Sequence, residues 1–175
     1  MDKDQETRNS IVVIEAGAGW PQWITEYQRR APNASVIAQI ATETPGDFGG
    51  RALHRLDDIR RGPGRLGVGI LLCSEGATEE MRAVRRRVAH AIVEALQGSG
   101  DLVLAAIEGT EAFQQELFVL AGDLCEDQSV PRVNVRVRFG TSQSGTMPSV
   151  LPVPAEMEAM ADPDDQERVS WTGSA

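Results

Sequence analysis

The side chains of this sequence that could do chemistry are few, and the first is a cysteine. Cys73, followed by Ser74, stands at the end of a predicted buried strand. A nucleophilic cysteine needs a lowered thiol pKa and usually a neighbouring base. His54 and His90 both fall late in predicted helices, far from the carboxyl ends of the strands. Cys73 is thus the one catalytic candidate, and the sequence favours a small buried packing residue over a nucleophile there.

A second candidate is the loop that follows the first predicted strand and leads into a helix. Gly17 and Gly19 lie in this loop, directly after Glu15. Free backbone N–H groups at such a place could hold an anion. However, Gln22 occupies the position where the dinucleotide fingerprint needs its third glycine, and the chain has no Gly-Lys-Ser/Thr. The pattern favours an ordinary turn over a nucleotide loop.

The predicted ligand-binding set joins these loops with the cap of the last predicted helix: Glu15, Gly17, Gly19, Cys73, Ser74 and Thr110. The sequence predicts no metal and no cofactor. Cys73 and Cys125 fit no metal spacing, and two histidines are too few for a classical zinc site. Lys3, the only lysine, lies before the first predicted strand, so a catalytic lysine within the domain is excluded.

Charge and hydropathy limit the partners. The net charge of −9 argues against nucleic acid and against an anionic membrane surface. No apolar run approaches the roughly 20 residues of a membrane span, and residues 1–10 lack a signal-peptide core. We therefore expect a cytoplasmic protein whose partner is another protein, a second copy of itself or a small ligand.

The pattern of apolar residues predicts strands alternating with helices. Five segments read as strands: residues 11–14, 35–41, 68–73, 102–107 and 132–139. Helical spacing of apolar residues lies between them, clearest in Met81, Val84, Val88, Ile92 and Leu96, with Thr78 as N-cap. Arg82, Arg85, Arg86 and Arg87 of this helix are expected mostly on its outside.

This alternation predicts a three-layer α/β/α sandwich with a five-stranded, mostly parallel sheet, Rossmann-like or flavodoxin-like. The first, third and fourth strands are apolar on both faces and should be central. The second and fifth carry polar positions and should be edges. The order 2-1-3-4-5 is favoured, and 3-2-1-4-5 stays open. With the first order, a crevice lies between the first and third strands at their carboxyl ends.

The chain divides into three predicted parts. Residues 1–10 form a flexible leader, residues 11–140 the α/β domain, and residues 141–175 an acidic, proline-containing tail that we expect to be disordered. The arginines of the third predicted helix, with Arg132, Arg136 and Arg138 of the fifth strand, could make one basic surface. The sequence favours a solvated helix face and a charged sheet edge, with docking of the acidic tail there as a specific hypothesis.

Two families share this alternation. Response-regulator receiver domains resemble it in topology, but the places of their acidic pair, phosphorylated aspartate and lysine hold Glu15, Cys73 and Arg138. Universal stress proteins are similar over residues 11–139: residues 15–17 resemble the end of their first strand and residues 100–104 the start of their fourth. Their nucleotide loop is not matched by residues 107–110. Both resemblances imply a fold and not an activity.

The sequence is compatible with three functions. The leading expectation is a non-enzymatic regulatory or protein-interaction domain, universal-stress-like but without an intact nucleotide loop. The alternative is a binder of a small ligand or nucleotide in the crevice between the first and third strands. The second alternative is a small enzyme that uses Cys73.

Overall fold

The structure is a computed structural model in which the secondary elements alternate as the sequence predicts. It describes residues 8–16, 24–96, 100–107, 109–126, 133–140 and 169–171. The elements in chain order are β1 (Arg8–Ile14), α1 (Ile24–Arg30), β2 (Ala34–Ala38), α2 (Pro45–Arg61), β3 (Arg65–Leu72), α3 (Glu79–Ala95), β4 (Gly100–Ile107), α4 (Glu111–Glu126), β5 (Val133–Gly140) and β6 (Val169–Trp171).

The sheet confirms the favoured strand order. Among the described residues it has six strands in the order β2-β1-β3-β4-β5-β6, of which β1 to β5 are parallel. The central strands are those that the sequence marks as apolar on both faces, because both faces are covered. β1 begins at Arg8, three residues before the predicted start, and a register shift follows Asn9.

Within the described part of the chain, helices cover the two faces of the sheet unequally. The core on one face joins α2, α3 and α4 to the strands, while the core on the other face takes its helical residues, Tyr27 and Ala31, from α1 and the turn after it. The predicted stripe of α3 is buried, and so are the apolar residues at helical spacing on α2 and α4. Thr44 and Thr78 cap α2 and α3 by accepting hydrogen bonds from the N–H groups of Asp47 and Met81.

The prediction that β5 is an edge strand is wrong. β6, from the predicted tail, pairs with it antiparallel, with Val169 opposite Val137 and Trp171 opposite Val135. The free N–H and C=O groups of an edge are an open template for another strand, and this chain supplies that strand itself. The disorder expected for the rest of the tail concerns residues outside the described ranges and stays a prediction.

The single basic surface considered from the sequence is also wrong. The valines of β5 face α3 and α4, so Arg136 and Arg138 point to the opposite face of the sheet. The exposed arginines of α3, including Arg86, lie on the outer side of the helix layer. The sheet therefore separates the two arginine groups. Arg138 is also only 7% exposed, so its face is not the wet one that alternation predicts.

One glycine in α2 makes a direct test of helix propensity. Gly50 is exposed, and a Cβ at this position would meet no atom within 4 Å. We expect Gly50→Ala to raise the free energy of unfolding by about 0.5–1 kcal/mol, because glycine loses more backbone entropy in a helix. Urea denaturation measures it, and an unchanged or lower stability would contradict the open surroundings of Gly50.

Within the described ranges, no helix has the length and hydropathy needed to cross a membrane.

Candidate functional site

The candidate site lies where β1 and β3 end side by side. Glu15 directly follows β1, and its backbone N–H donates to the Leu72 carbonyl at 3.0 Å. Cys73 and Ser74 follow β3, with the Cys73 N–H donating to the Ala105 carbonyl of β4 at 2.7 Å. The parallel strands thus bring together three of the predicted residues, all buried.

A buried ion pair fills this position. Arg85 of α3 donates from Nε to Glu15 Oε2 and from Nη2 to Glu15 Oε1, both at 2.7 Å. The Arg85 side chain is 2% exposed and the Glu15 side chain 0%. The two parallel bonds make the bidentate geometry that is strongest between a guanidinium and a carboxylate. Arg85 is therefore the exception to the prediction that the arginines of α3 lie outside.

Ser74 completes the coordination of both charges. Its backbone N–H and its hydroxyl donate to Glu15 Oε1 at 3.0 and 3.2 Å. Its carbonyl accepts from Arg85 Nη2 at 3.0 Å. A single loop residue thus binds the carboxylate and the guanidinium at once, which supplies the extra hydrogen bonds that a buried ion pair needs.

The network continues outward to α4. Arg85 Nη1 lies 3.4 Å from Glu116 Oε1, which also accepts from Arg82 Nε at 2.8 Å. The Arg85 guanidinium carbon stands 5.8 Å from the ring centroid of Phe113. Burial opposes the charge on Arg85, but the hydrogen bonds and neighbouring negative groups together outweigh it, so the pKa of Arg85 is raised. Arg85 and Glu15 form a buried ion pair whose hydrogen bonds are made within the protein, called the Glu15–Arg85 pair below.

Cys73 lies beside this pair but is unsuited to nucleophilic chemistry. It is 2% exposed, and its Sγ lies 3.6 Å from the Leu71 carbonyl. Burial, and then the negative charge of Glu15, raise the pKa of the Cys73 thiol well above its ordinary value. Both effects reduce the thiolate fraction on which cysteine reactivity depends.

Comparison with the second cysteine tests this assignment. Cys125 on α4 is only partly buried, and burial raises its pKa less strongly than that of Cys73. In the folded protein at pH 8, we expect iodoacetamide to alkylate Cys125 at least about 100-fold faster than Cys73, because Cys73 reacts only through opening of the core. Peptide mass spectrometry of single-thiol variants, Cys73→Ser and Cys125→Ser, gives both rates. Faster alkylation of Cys73 than of Cys125 would support Cys73 as a nucleophile.

The raised pKa of Cys73 also predicts alkaline instability. A thiol with a higher pKa in the folded state stabilises the fold fully below its unfolded pKa, near 8.5–9, and this stabilisation is lost as pH rises above it. Between pH 9 and 10.5 we expect the free energy of unfolding to fall more steeply in wild type than in Cys73→Ala, by up to about 1.4 kcal/mol per pH unit. Parallel slopes would contradict this. The raised pKa of Tyr27 acts equally in both proteins.

Thr110, the last residue of the predicted ligand set, is also engaged within the protein. Glu75, in the loop after β3, accepts from the Thr110 N–H at 3.1 Å and from its hydroxyl at 2.6 Å. Thr110 Oγ1 in turn accepts from the Phe113 N–H at 3.3 Å, which caps α4. The carboxylate of Glu75 therefore sits at the positive end of α4, where an anionic ligand would otherwise bind.

The predicted glycine loop is only partly described. Ala16, its first residue after Glu15, donates its N–H to Gln39 Oε1 at 3.1 Å. Gly17 and Gly19 lie outside the described residues. His54 is exposed on α2 and lies 3.7 Å from Asp58, away from the strand ends. In the described ranges no group of three His, Cys, Asp or Glu side chains is placed to hold a metal ion.

Three residues of this site were missed from the sequence: Arg85, Glu75 and Glu116. The spacing carried a signal for Arg85, because it follows Met81 by four residues and precedes Val88 by three, which places it in the buried stripe. Glu15, an acid at the end of a strand buried on both faces, demanded a cation. Nothing in the spacing indicated Glu75 or Glu116.

The surface between α3 and α4 holds a groove of about 520 Å³. Arg82 and Arg86 line one side, and Glu116 and Val119 the other. Val119 is 61% exposed. The salt bridge from Arg86 to Asp123, 3.2 Å long, spans the same two helices. The groove lies on the outer side of the helix layer. Arg85, a member of the Glu15–Arg85 pair, also lines it.

Compared with family models, with curated proteins and with solved structures, the chain gives no significant match.

Proposed function

We propose that the chain is a non-enzymatic regulatory or protein-interaction α/β domain. The observation that carries the proposal is the Glu15–Arg85 pair, which occupies the crevice between β1 and β3. In a sheet of this order that crevice is where a ligand or substrate would bind. Here a carboxylate, a guanidinium and Ser74 satisfy one another in it, so the polar groups serve the fold.

The enzyme alternative has less support. Nucleophilic catalysis needs an accessible thiolate and a base. Cys73 is buried with a raised pKa, and His54, exposed on α2, is remote from the strand ends. The remaining acid at the site, Glu15, is held by two hydrogen bonds from Arg85 and two from Ser74. The oxygens of this carboxylate are thus already engaged by the protein's own donors.

The ligand-binding alternative also has less support. The N–H groups of Ala16, Ser74 and Thr110 all donate to side chains of the protein itself. The resemblance to universal stress proteins therefore enters the proposal as topology only, because Thr110, at the place of their nucleotide loop, is engaged by Glu75.

A thermal-shift panel separates the proposed function from the ligand-binding alternative. The panel contains nucleotides, inorganic phosphate and small dicarboxylates at millimolar concentration. A ligand at 100 times its Kd stabilises by about 2.7 kcal/mol, which raises the midpoint by about 5–10 °C. We expect shifts below about 1 °C. A shift of several degrees that is lost in Ser74→Ala but kept in Arg86→Met would overturn the proposal, because Ser74 faces the crevice and Arg86 lies on the outer side of α3.

A further inference from the structure

The outer surface of the helix layer carries opposite charges on two neighbouring helices. On α3, Arg82 and Arg86 point toward α4, and their side chains are 50% and 54% exposed. Their partners on α4 are Glu116 and Asp123, whose side chains are 35% and 37% exposed. Each of these arginines is paired within the chain, and all four charged groups also remain open to solvent. The surface is therefore a basic row beside an acidic row.

An apolar groove lies between the two rows. Its apolar lining comes from Ala83 of α3 and from Val119 and Leu120 of α4. Ala83 and Val119 are exposed. In the part of the chain that the structure describes, two large apolar side chains are exposed, Val119 and Ile40, which follows β2. Removing such a surface from water is favourable, so a partner that covers the groove gains stability.

We propose that this face binds a second copy of the chain, with α3 of each copy lying over α4 of the other. The two copies are related by a two-fold axis that is parallel to the helices and runs between them. In such an isologous interface the same surface of both copies makes the contact. The inference rests on the proposed function as an interaction domain, and it names the partner.

The common direction of α3 and α4 fixes the geometry of this pairing. Both helices connect neighbouring parallel strands, β3 to β4 and β4 to β5, and both pack on the same core. The salt bridges agree, because Arg82 pairs with Glu116, and Arg86, one turn later, pairs with the later acid Asp123. Each arginine thus lies level with its acid along the helices. A two-fold axis parallel to the helices keeps this level, so Arg86 of one copy faces Asp123 of the other.

The charge pattern favours this axis over the alternative. About the parallel axis, the basic row of each copy faces the acidic row of the other, and each salt bridge joins a network of four charges. About an axis perpendicular to the helices in the plane of the surface, α3 faces α3 and α4 faces α4. Arginines then oppose arginines and carboxylates oppose carboxylates, which is costly in an interface.

The basic row also answers the repulsion between two copies of an acidic chain. The net charge is −9, so two copies repel each other over most approaches. On the face of α3 and α4, charges of opposite sign meet instead. Local complementarity of this kind selects the orientation in which two such molecules can touch.

The apolar residues lie at the centre of the proposed contact. Val119 lies between the two acids along α4, and Ala83 lies between the two arginines along α3. The parallel axis therefore brings Val119 of each copy over Ala83 of the other, where a small side chain leaves room for it. An apolar contact surrounded by charged groups is the usual arrangement of an interface core and its rim.

Sedimentation velocity of the full-length protein tests the contact directly. Over about 1–200 µM we expect a reversible dimer with a Kd below about 100 µM. Val119→Glu should raise this Kd at least about 30-fold, because it places a charge at the centre of the interface. Ile40→Glu is the matched control, since Ile40 is equally exposed, at 61%, and it should change the Kd by less than about three-fold. Circular dichroism checks that both variants fold.

Mixing two charge variants tests the axis. Arg86→Glu and Asp123→Arg each put like charges opposite each other, both within the chain and between copies, so each alone should raise the Kd at least about 10-fold. An equimolar mixture should form the heterodimer with about the wild-type Kd. Neither variant has opposite charges at positions 86 and 123 of one chain, so mixing restores only contacts between copies. Arg60→Glu, exposed on α2, makes the same change of charge and should dimerise by itself.

Three results would overturn the dimer: a wild-type chain that stays monomeric up to about 200 µM, a dimer that Ile40→Glu weakens as much as Val119→Glu, or charge variants that do not associate on mixing. None of these results removes the proposed function, because a different protein can still be the partner. The proposed function fails separately, when the protein purified from its source carries neither another protein nor a second copy.

Discussion

Replacing Arg85 with methionine should lower the free energy of unfolding by about 3–5 kcal/mol, the cost of leaving a buried charge without its partner. Arg85 is 2% exposed and holds Glu15 through two bonds of 2.7 Å. In Arg85→Met the Glu15 carboxylate keeps only Ser74. Against a total stability of about 5–15 kcal/mol, a loss of this size is a large fraction. Urea denaturation followed by circular dichroism measures it.

Two companion variants isolate the cause of that loss. Arg86→Met, the next residue on α3, breaks an exposed salt bridge to Asp123 and should cost about 0.5 kcal/mol or less. Glu15→Gln with Arg85→Met removes both charges while keeping an acceptor for Ser74, and it should recover at least half of the loss. A loss in Arg85→Met no greater than in Arg86→Met would contradict the buried pair.

The second large effect is expected from a single added methyl group in β3. Gly69 lies under α3, and a Cβ placed on it would stand 2.2 Å from Ile92 Cγ2. Ile92 is 0% exposed and packed into the core, so it cannot move aside. Gly69→Ala should therefore lower the free energy of unfolding by about 3 kcal/mol through overpacking. Urea denaturation again gives the value.

A paired substitution distinguishes crowding from an effect on the strand itself. Ile92→Ala removes the Cγ2 atom that the new methyl would meet. Combined with Gly69→Ala it should cost at least about 1 kcal/mol less than the sum of the two single variants. Gly50→Ala is the matched control, because a Cβ there meets nothing within 4 Å. Additive losses at Gly69 and Ile92 would contradict this account of why glycine stands at position 69.

The strand order was predictable because burial on both faces leaves a direct mark on sequence. β1, β3 and β4 read as continuous apolar runs, and such strands must be internal. The edge at β5 was mispredicted for a physical reason. Its partner Val169–Trp171 follows 28 intervening residues, and no local pattern indicates so distant a pairing.

The site was only half predictable. The topology placed Glu15, Cys73 and Ser74 together, as expected from their positions at the strand ends. The presence of Arg85 between them could not be deduced from residue type, because a charged residue on a helix is expected to face solvent. Only its spacing indicates burial. Arg85 has the spacing of the buried stripe but the charge of a surface residue. It can be buried because Glu15, the acid at the end of β1, binds its guanidinium.

The Glu15–Arg85 pair occupies a crevice suited to a ligand and links β1, β3 and α3 through hydrogen bonds. Such a pair holds the carboxyl edge of the sheet in place, because moving either charged side chain away would leave the other buried without its partner. It is consistent with a domain that acts through its surfaces, which is the function proposed.

The most direct test of that claim is native mass spectrometry of the full-length protein purified gently from its source. We predict that the chain is found with another protein or with a second copy of itself, and that the complex contains no stoichiometric small molecule. A small molecule retained at one per chain, or a chain that is always alone, would contradict the proposed function.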